Sequence, residues 1–249
     1  MIMKRGTYNM NRITYFTEDN ERIGLYTRNA TQGAECELVL SFVDYYCNKF
    51  LRDNKVNNLA IFMEPRVVSG FPDVVFASYH PSILDRWTKE RTELGVDDLK
   101  VLAHLLHIGK VIGQDLIDSL RLPEKHTLRS LEKLMDAKLV EYKNKSWYAL
   151  KKSEAFSIRK LVSIEAKLND IGKVTEQSLL NTWFVSQSYA LINSSRPQNS
   201  TVKSFSKHGI GLYCTHKGFR KIVEAEKLPL PSSYQSILFN EWIGNSSFH

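Results

Sequence analysis

From position 33 to 50 apolar side chains return every third or fourth residue. Cys36, Val39, Leu40, Val43, Tyr46, Cys47 and Phe50 form one stripe. That is the repeat of a helix with one buried face, and Glu37, Ser41, Asp44 and Asn48 fall on the opposite, wet side. At about 100° per residue Glu35 lies beside Phe42 on the flank of the stripe, where a carboxylate is costly unless something uses it. Before this helix, residues 12–16 and 22–26 read as two short strands joined by the turn-forming Thr17-Glu18-Asp19-Asn20. After it, residues 59–63 and 67–78 read as strands. The second is broken by Gly70-Phe71-Pro72, so that Asp73 heads the apolar run Val74-Val75-Phe76.

The pattern then changes. Residues 83–95 read as a polar, charged connection, and Asp97-Asp98 can cap a helix over 99–107 that Gly109 ends. A short helix over 112–120 and a turn at Leu122-Pro123 lead into a third helix, 124–137, with Leu128, Leu131, Leu134 and Met135 inward. Residues 139–142 and 146–150 alternate like a hairpin around Lys143-Asn144-Lys145. Three helices and a two-stranded wing within about 60 residues make the winged-helix pattern. Strand character returns over 156–164 and runs into Glu165, followed by a helix of about 20 residues, 170–189. A polar loop at 193–200 precedes strands at 209–214 and 220–224. The tail reads as a short packing helix on which Phe239 and Trp242 look exposed.

With 88–151 removed, Asp73 and Glu165 are about 28 residues apart, and the flanks read helix, strand, strand, strand, helix, strand. The expected architecture is therefore a discontinuous α/β domain, residues 1–87 and 152–249. Its mixed sheet is flanked by helices, and 88–151 forms an inserted winged helix-turn-helix domain.

The chain has 249 residues, 43% hydrophobic and 24% charged, the balance of a soluble globular protein. No apolar stretch approaches the roughly 18 residues of a membrane span, and no signal-peptide pattern opens the sequence. Cys36, Cys47 and Cys214 are scattered without a C-x-x-C, which reads as reduced thiols in a cytoplasmic protein. His104, His107, His208 and His216 lack partners at zinc-ligand spacing, no phosphate-binding Walker loop is present, and Gly209-Ile210-Gly211 reads as a strand opening. The net charge of +7 suits a polyanion as partner.

The candidate chemistry lies at Asp73 and at Glu165-Ala166-Lys167. Hydrolysing a phosphodiester requires charge neutralisation on the phosphate, an activated water and a stabilised leaving oxygen. Mg²⁺ or Mn²⁺ serves this, bound by a few carboxylate oxygens such as those of Asp73 and Glu165 on adjacent strands. The strand period of two puts Glu165 and Lys167 on one face, where Lys167 can orient the attacking water.

These residues resemble the PD-(D/E)XK nuclease superfamily. Gly33-Ala34-Glu35-Cys36-Glu37-Leu38-Val39 looks like the first-helix motif of archaeal-type Holliday-junction resolvases. Ser69-Gly70-Phe71-Pro72-Asp73-Val74-Val75 looks like their S-G-x-x-P-D strand, and Ile164-Glu165-Ala166-Lys167 completes the set. The resemblance covers about 33–78 and 156–215. It implies a restriction-endonuclease-like core in which Glu35, Asp73 and Glu165 hold the metal and Lys167 assists the water. It also implies a helix glutamine, here Gln177, sharing a sheet-facing side with Leu180 and Phe184. The inserted domain departs from the resolvases and points to a restriction-like or transposon-end-like enzyme.

In winged helices the third helix enters the major groove. Lys125, His126, Thr127, Arg129, Ser130 and Lys133 would there face DNA, with Lys143 and Lys145 of the wing on the backbone. The expected function is a metal-dependent DNA endonuclease. One site cuts one strand, so double-strand cleavage calls for a homodimer or a protein partner. The competing readings are a non-catalytic DNA-binding regulator on a nuclease-like scaffold and a nuclease subunit of a transposition or defence assembly.

Overall fold

A computed structural model describes residues 7–10, 12–28, 32–215, 217–230 and 233–248, so His216 lies outside the described residues. The chain divides into two compact units. The first comprises Met1–Asp19, Tyr26–Tyr79 and Arg159–Pro231; the second comprises Asn20–Leu25, His80–Ile158 and Ser232–His249.

The first unit is α/β. Its strands are β1 (Thr7–Met10), β2 (Ile13–Phe16), β3 (Asn58–Met63), β4 (Val74–Tyr79), β8 (Ile158–Lys167), β9 (Gln187–Ile192), β10 (Gly211–Thr215) and β11 (Phe219–Val223). They form one eight-stranded mixed sheet in the order β1-β2-β3-β4-β8-β9-β10-β11. β3 and β4 are antiparallel, whereas β8, β9 and β10 run parallel. Helix α1 (Ala34–Asp53) buries Val39, Phe42, Val43 and Cys47 on one sheet face, with Phe42 packed edge-on against Tyr213 and Phe219. Helix α7 (Ile171–Asn181) buries Val174, Ser178 and Asn181, and α8 (Asn199–Lys207) buries Phe205.

Several elements differ from the sequence expectation. Residues 22–26 form a turn and an isolated bridge, and β2 pairs instead with β1. The helix expected over 170–189 stops at Asn181, and 187–192 is β9. β9 lies between two parallel neighbours and is buried on both faces, so its run Tyr189-Ala190-Leu191-Ile192 shows no alternation to distinguish it from a buried helix. Part of the polar loop at 193–200 belongs to α8, whose single fully buried apolar residue left almost no stripe to read.

The second unit contains a 3-10 helix (Pro81–Arg86), α2 (Lys89–Thr92), α3 (Val96–Ile108), β5 (Lys110–Val111), α4 (Gly113–Leu120) and α5 (Glu124–Asp136). It continues with β6 (Val140–Lys143), β7 (Ser146–Ala149), α6 (Lys152–Ala155) and α9 (Tyr234–Ser247). A three-stranded antiparallel sheet, β5-β7-β6, closes the group of α3, α4 and α5. The β6–β7 turn is two residues long, with Asn144 and Lys145 both in the left-handed region, the form that matches strand twist. This unit reaches beyond 88–151 and takes in α9 as core.

The tail aromatics are buried, not exposed: Phe239 and Trp242 lie inside the unit with Ile237, Leu238 and Ile243. Residues 83–95 are also more than a polar connection. Arg91 stacks on Trp87 at 3.4 Å and grips Glu241 with two hydrogen bonds, Nε to Oε2 at 2.9 Å and Nη2 to Oε1 at 2.6 Å. Gly244 is where Trp87 presses on α9; a Cβ there would sit 2.0 Å from its ring.

Helix α5 is rotated relative to the expected face. Thr127, Ser130, Leu131 and Leu134 point inward, while Leu128 and Met135 are exposed. The cause is Asp98 on α3. Its carboxylate caps Gly95 N–H at 2.9 Å and accepts from Ser130 Oγ at 2.6 Å and Lys133 Nζ at 3.0 Å, so α5 docks by polar contacts that a hydrophobic count misses.

Candidate active site

Four expected residues converge at one end of the first unit's sheet. Glu165 comes from β8 and is only 3% exposed. Asn181, on the inner face of α7, donates from Nδ2 to Glu165 Oε1 at 2.7 Å and accepts from Ser69 Oγ at 3.2 Å. Asp73 stands just before β4, and its Oδ2 accepts from the Ala166 N–H of β8 at 2.7 Å. Lys167, at the end of β8, donates to Glu35 Oε2 at 2.9 Å, and the Leu168 N–H reaches Glu35 Oε1 at 3.4 Å. Glu35 thus occupies the first turn of α1, where the helix dipole favours a carboxylate.

Glu64 and Asn181 belong to this neighbourhood and escaped sequence reading. Glu64 follows β3 with φ 41°, a strained value for a side chain other than glycine. It is buried, its N–H donates to Asp73 O at 3.1 Å, and it forms an ion pair with Arg28, which lies 5.0 Å from the Phe71 ring. One signal was available: antiparallel pairing of β3 with β4 matches Met63 to Val74, which puts Glu64 opposite Asp73. For Asn181 the signal was a polar residue seven positions after Val174 on the same helix face.

The electrostatics follow from burying like charges. Burial pushes the Glu165 carboxyl up to about 8, with Asp73 adding repulsion; Asn181, Lys167 and Arg28 only partly offset this. Asp73 is raised by burial as well, although the Ala166 N–H and Lys167 pull it down and Glu64 and Glu35 push it up. Burial lowers Lys167, but its hydrogen bond to Glu35 and the charges of Asp73, Glu35 and Glu165 outweigh it and hold the ammonium above its ordinary value. The result is a carboxylate pair, Glu165 buried and Asp73 half-buried, whose desolvation the neighbouring Lys167 ammonium only partly offsets.

Among the described residues no group of three His, Cys, Asp or Glu side chains converges as a metal cluster. Glu35, expected as a third ligand, is turned to Lys167. The remaining donors, Asp73 and Glu165, suit Mg²⁺ or Mn²⁺, which takes one or two carboxylates and completes its shell with water and substrate oxygens. Gln177 is half-buried, and its Oε1 is buried without a hydrogen-bond partner among the described residues; of the side chains expected on its face, Phe184 is buried and Leu180 exposed.

Of the residues expected to contact DNA, Lys125, His126, Arg129, Lys143 and Lys145 are exposed. Thr127 is fully buried, Ser130 is held by Asp98, and Lys133 is half-exposed but tied to the same carboxylate. Ser130 and Lys133 brace α5 against α3, while the Thr127 hydroxyl donates back to Pro123 O.

Comparison of the chain with family models, with curated proteins and with solved structures finds no match. Among the described residues no helix is long and apolar enough to cross a membrane.

Proposed function

We propose that the chain is a divalent-cation-dependent DNA endonuclease of the PD-(D/E)XK type, with the α3–α5 and β5–β7 group serving as a winged-helix DNA-binding module. The observation that carries this reading is the pair of half-buried Asp73 and buried Glu165, with Lys167 two residues further along β8. A carboxylate pair whose burial outweighs the nearby charge of Lys167 costs stability unless a ligand uses it.

Asp73 and Glu165 would hold Mg²⁺ or Mn²⁺, which neutralises phosphate charge and makes bound water a stronger nucleophile. Asn181 fixes the rotamer of Glu165 by donating to Oε1, leaving its second oxygen free. The Ala166 N–H fixes Asp73 in the same way. Glu35 anchors Lys167 while leaving two of its three ammonium protons available. One of these can orient the attacking water and another can bond a phosphate oxygen as charge develops. The exposed cations at the start of α5 and in the β6–β7 turn supply phosphate affinity and groove contacts.

The test is cleavage of a panel of duplex, branched and single-stranded DNA with Mg²⁺ or Mn²⁺, comparing wild type with Glu165→Ala. Cutting by wild type that disappears in the variant is the expected result. A second reading, a DNA-binding regulator on the same scaffold, is favoured by one observation: Glu35 is engaged with Lys167 and not with the carboxylate pair. Tight DNA binding without cleavage, unchanged by metal and by Glu165→Ala, would select it. The assembly-subunit reading loses its surface, because Phe239 and Trp242 are buried.

A further inference from the structure

A second concave site lies at the opposite end of α1 from Glu35. Its cavity, about 230 Å³, opens beside Lys49 on α1, Lys160 on β8 and Lys221 on β11. Fourteen helical residues separate Glu35 from Lys49, roughly 20 Å at 1.5 Å per residue, so this site is distinct from the carboxylate cluster. Its walls carry the rings of Tyr46, Phe50, Tyr189 and Tyr213 together with the carboxylates of Asp53 and Glu224.

The charges here are mixed, three lysines against the carboxylates of Asp53 and Glu224. Lys49 is paired with Asp53, and Lys221 with Glu224. Glu224 is fully committed, since it also accepts from Tyr189 Oη at 2.6 Å and Gln187 Nε2 at 3.2 Å. Lys160 is half-buried on the sheet and has no ion-pair partner among the described residues. Burial pushes its ammonium down, Glu224 acts to raise it, and Lys221, Lys227 and Lys49 push it lower again. Burial raises the phenols of Tyr46, Tyr189 and Tyr213, which keeps them protonated, and the Tyr189 proton is already given to Glu224. With Lys49 and Lys221 each tied to a carboxylate, Lys160 is the lysine of this ring-lined cavity whose charge is left for an anion that can also pack against aromatic surface.

We propose that this cavity binds a phosphate group carried on a flat ring, a ligand of mononucleotide size, with Lys160 as its principal charge contact. Neither the metal nor the carboxylate cluster takes part, so the site stands or falls apart from the nuclease reading.

The experiment is titration calorimetry of the full chain in EDTA with dTMP, inorganic phosphate and a 5′-phosphorylated oligonucleotide. The variants are Lys160→Met, Tyr213→Phe and, as a control, Glu165→Gln. The expected result is saturable dTMP binding at least tenfold tighter than phosphate, weakened tenfold or more by Lys160→Met and several-fold by Tyr213→Phe, and unchanged by Glu165→Gln. Tyr213→Phe keeps the ring and covers the case in which Lys160→Met does not fold. The oligonucleotide separates a strand end from a free nucleotide as the source of the phosphate; Lys160-dependent binding of either supports the site. No saturable binding, or dTMP binding indifferent to both variants, overturns the proposal, and equal affinity for phosphate and dTMP overturns the role of the ring.

Discussion

Replacing Glu165 with Gln should stabilise the protein increasingly as pH rises from about 4.5 to about 8. In an unfolded chain this carboxyl ionises near 4.5, whereas burial and Asp73 make the folded protein hold its proton to about 8. The folded state therefore binds more protons than the unfolded state between those values, and stability falls as pH rises through that window. At about 1.4 kcal/mol per decade of proton concentration, the interval is worth about 5 kcal/mol above pH 8. Gln has the same shape and keeps an Oε1 for Asn181 to bond, so it removes the charge and little else. In EDTA the variant should match wild type near pH 5 and exceed it above pH 8, by about 10–20 °C in Tm for the full effect. Scanning calorimetry from pH 5 to 9 reads this directly. Adding Mg²⁺ at a hundred times its Kd should restore about 2.7 kcal/mol to wild type and none to the variant. A Tm difference that is independent of pH, or a less stable variant at pH 8.5, would refute the account of a buried, uncompensated charge.

Further expectations concern neighbouring contacts. Asn181→Ala removes the bond that lowers Glu165, so the alkaline loss of stability should extend to higher pH, with about 1–3 kcal/mol lost from the unpaired oxygen; calorimetry over the same range checks both. Glu35→Gln takes away a charge that raises Lys167, so its ammonium should titrate at lower pH and the alkaline limb of any cleavage profile should move down. Arg91→Ala leaves Glu241 buried without its partner and should cost about 3–5 kcal/mol in urea unfolding of the second unit. Lys125→Ala, Arg129→Ala and Lys143→Ala should each lower the salt slope of DNA binding by about one, whereas Ser130→Ala should reduce stability and leave that slope alone.

How much could be read in advance depended on which force organised each element. The stripe of α1 comes from one-sided burial, and it placed Glu35 correctly at the edge of the core. The runs before Asp73 and Glu165 come from strand burial, and they brought both carboxylates to one end of the sheet. β9 is buried on both faces and loses the alternation that marks a strand. Helix α5 is oriented by Asp98, Ser130 and Lys133, so counting its leucines predicted the wrong face. Glu64 and Asn181 reach the site only through strand register and a helix end, details set by tertiary pairing.

The distribution of the second unit along the chain has a consequence for synthesis. Its first piece, Asn20–Leu25, is made early, yet α9 and Glu241 are made after every strand of the first unit. Until residues 234–247 emerge, Arg91 has no carboxylate to meet and the pocket for Phe239 and Trp242 stays open. Helix α9 closes a unit whose other pieces all precede the last strands of the sheet, so the module proposed to hold DNA matures only after the sheet proposed to cut it is complete in sequence.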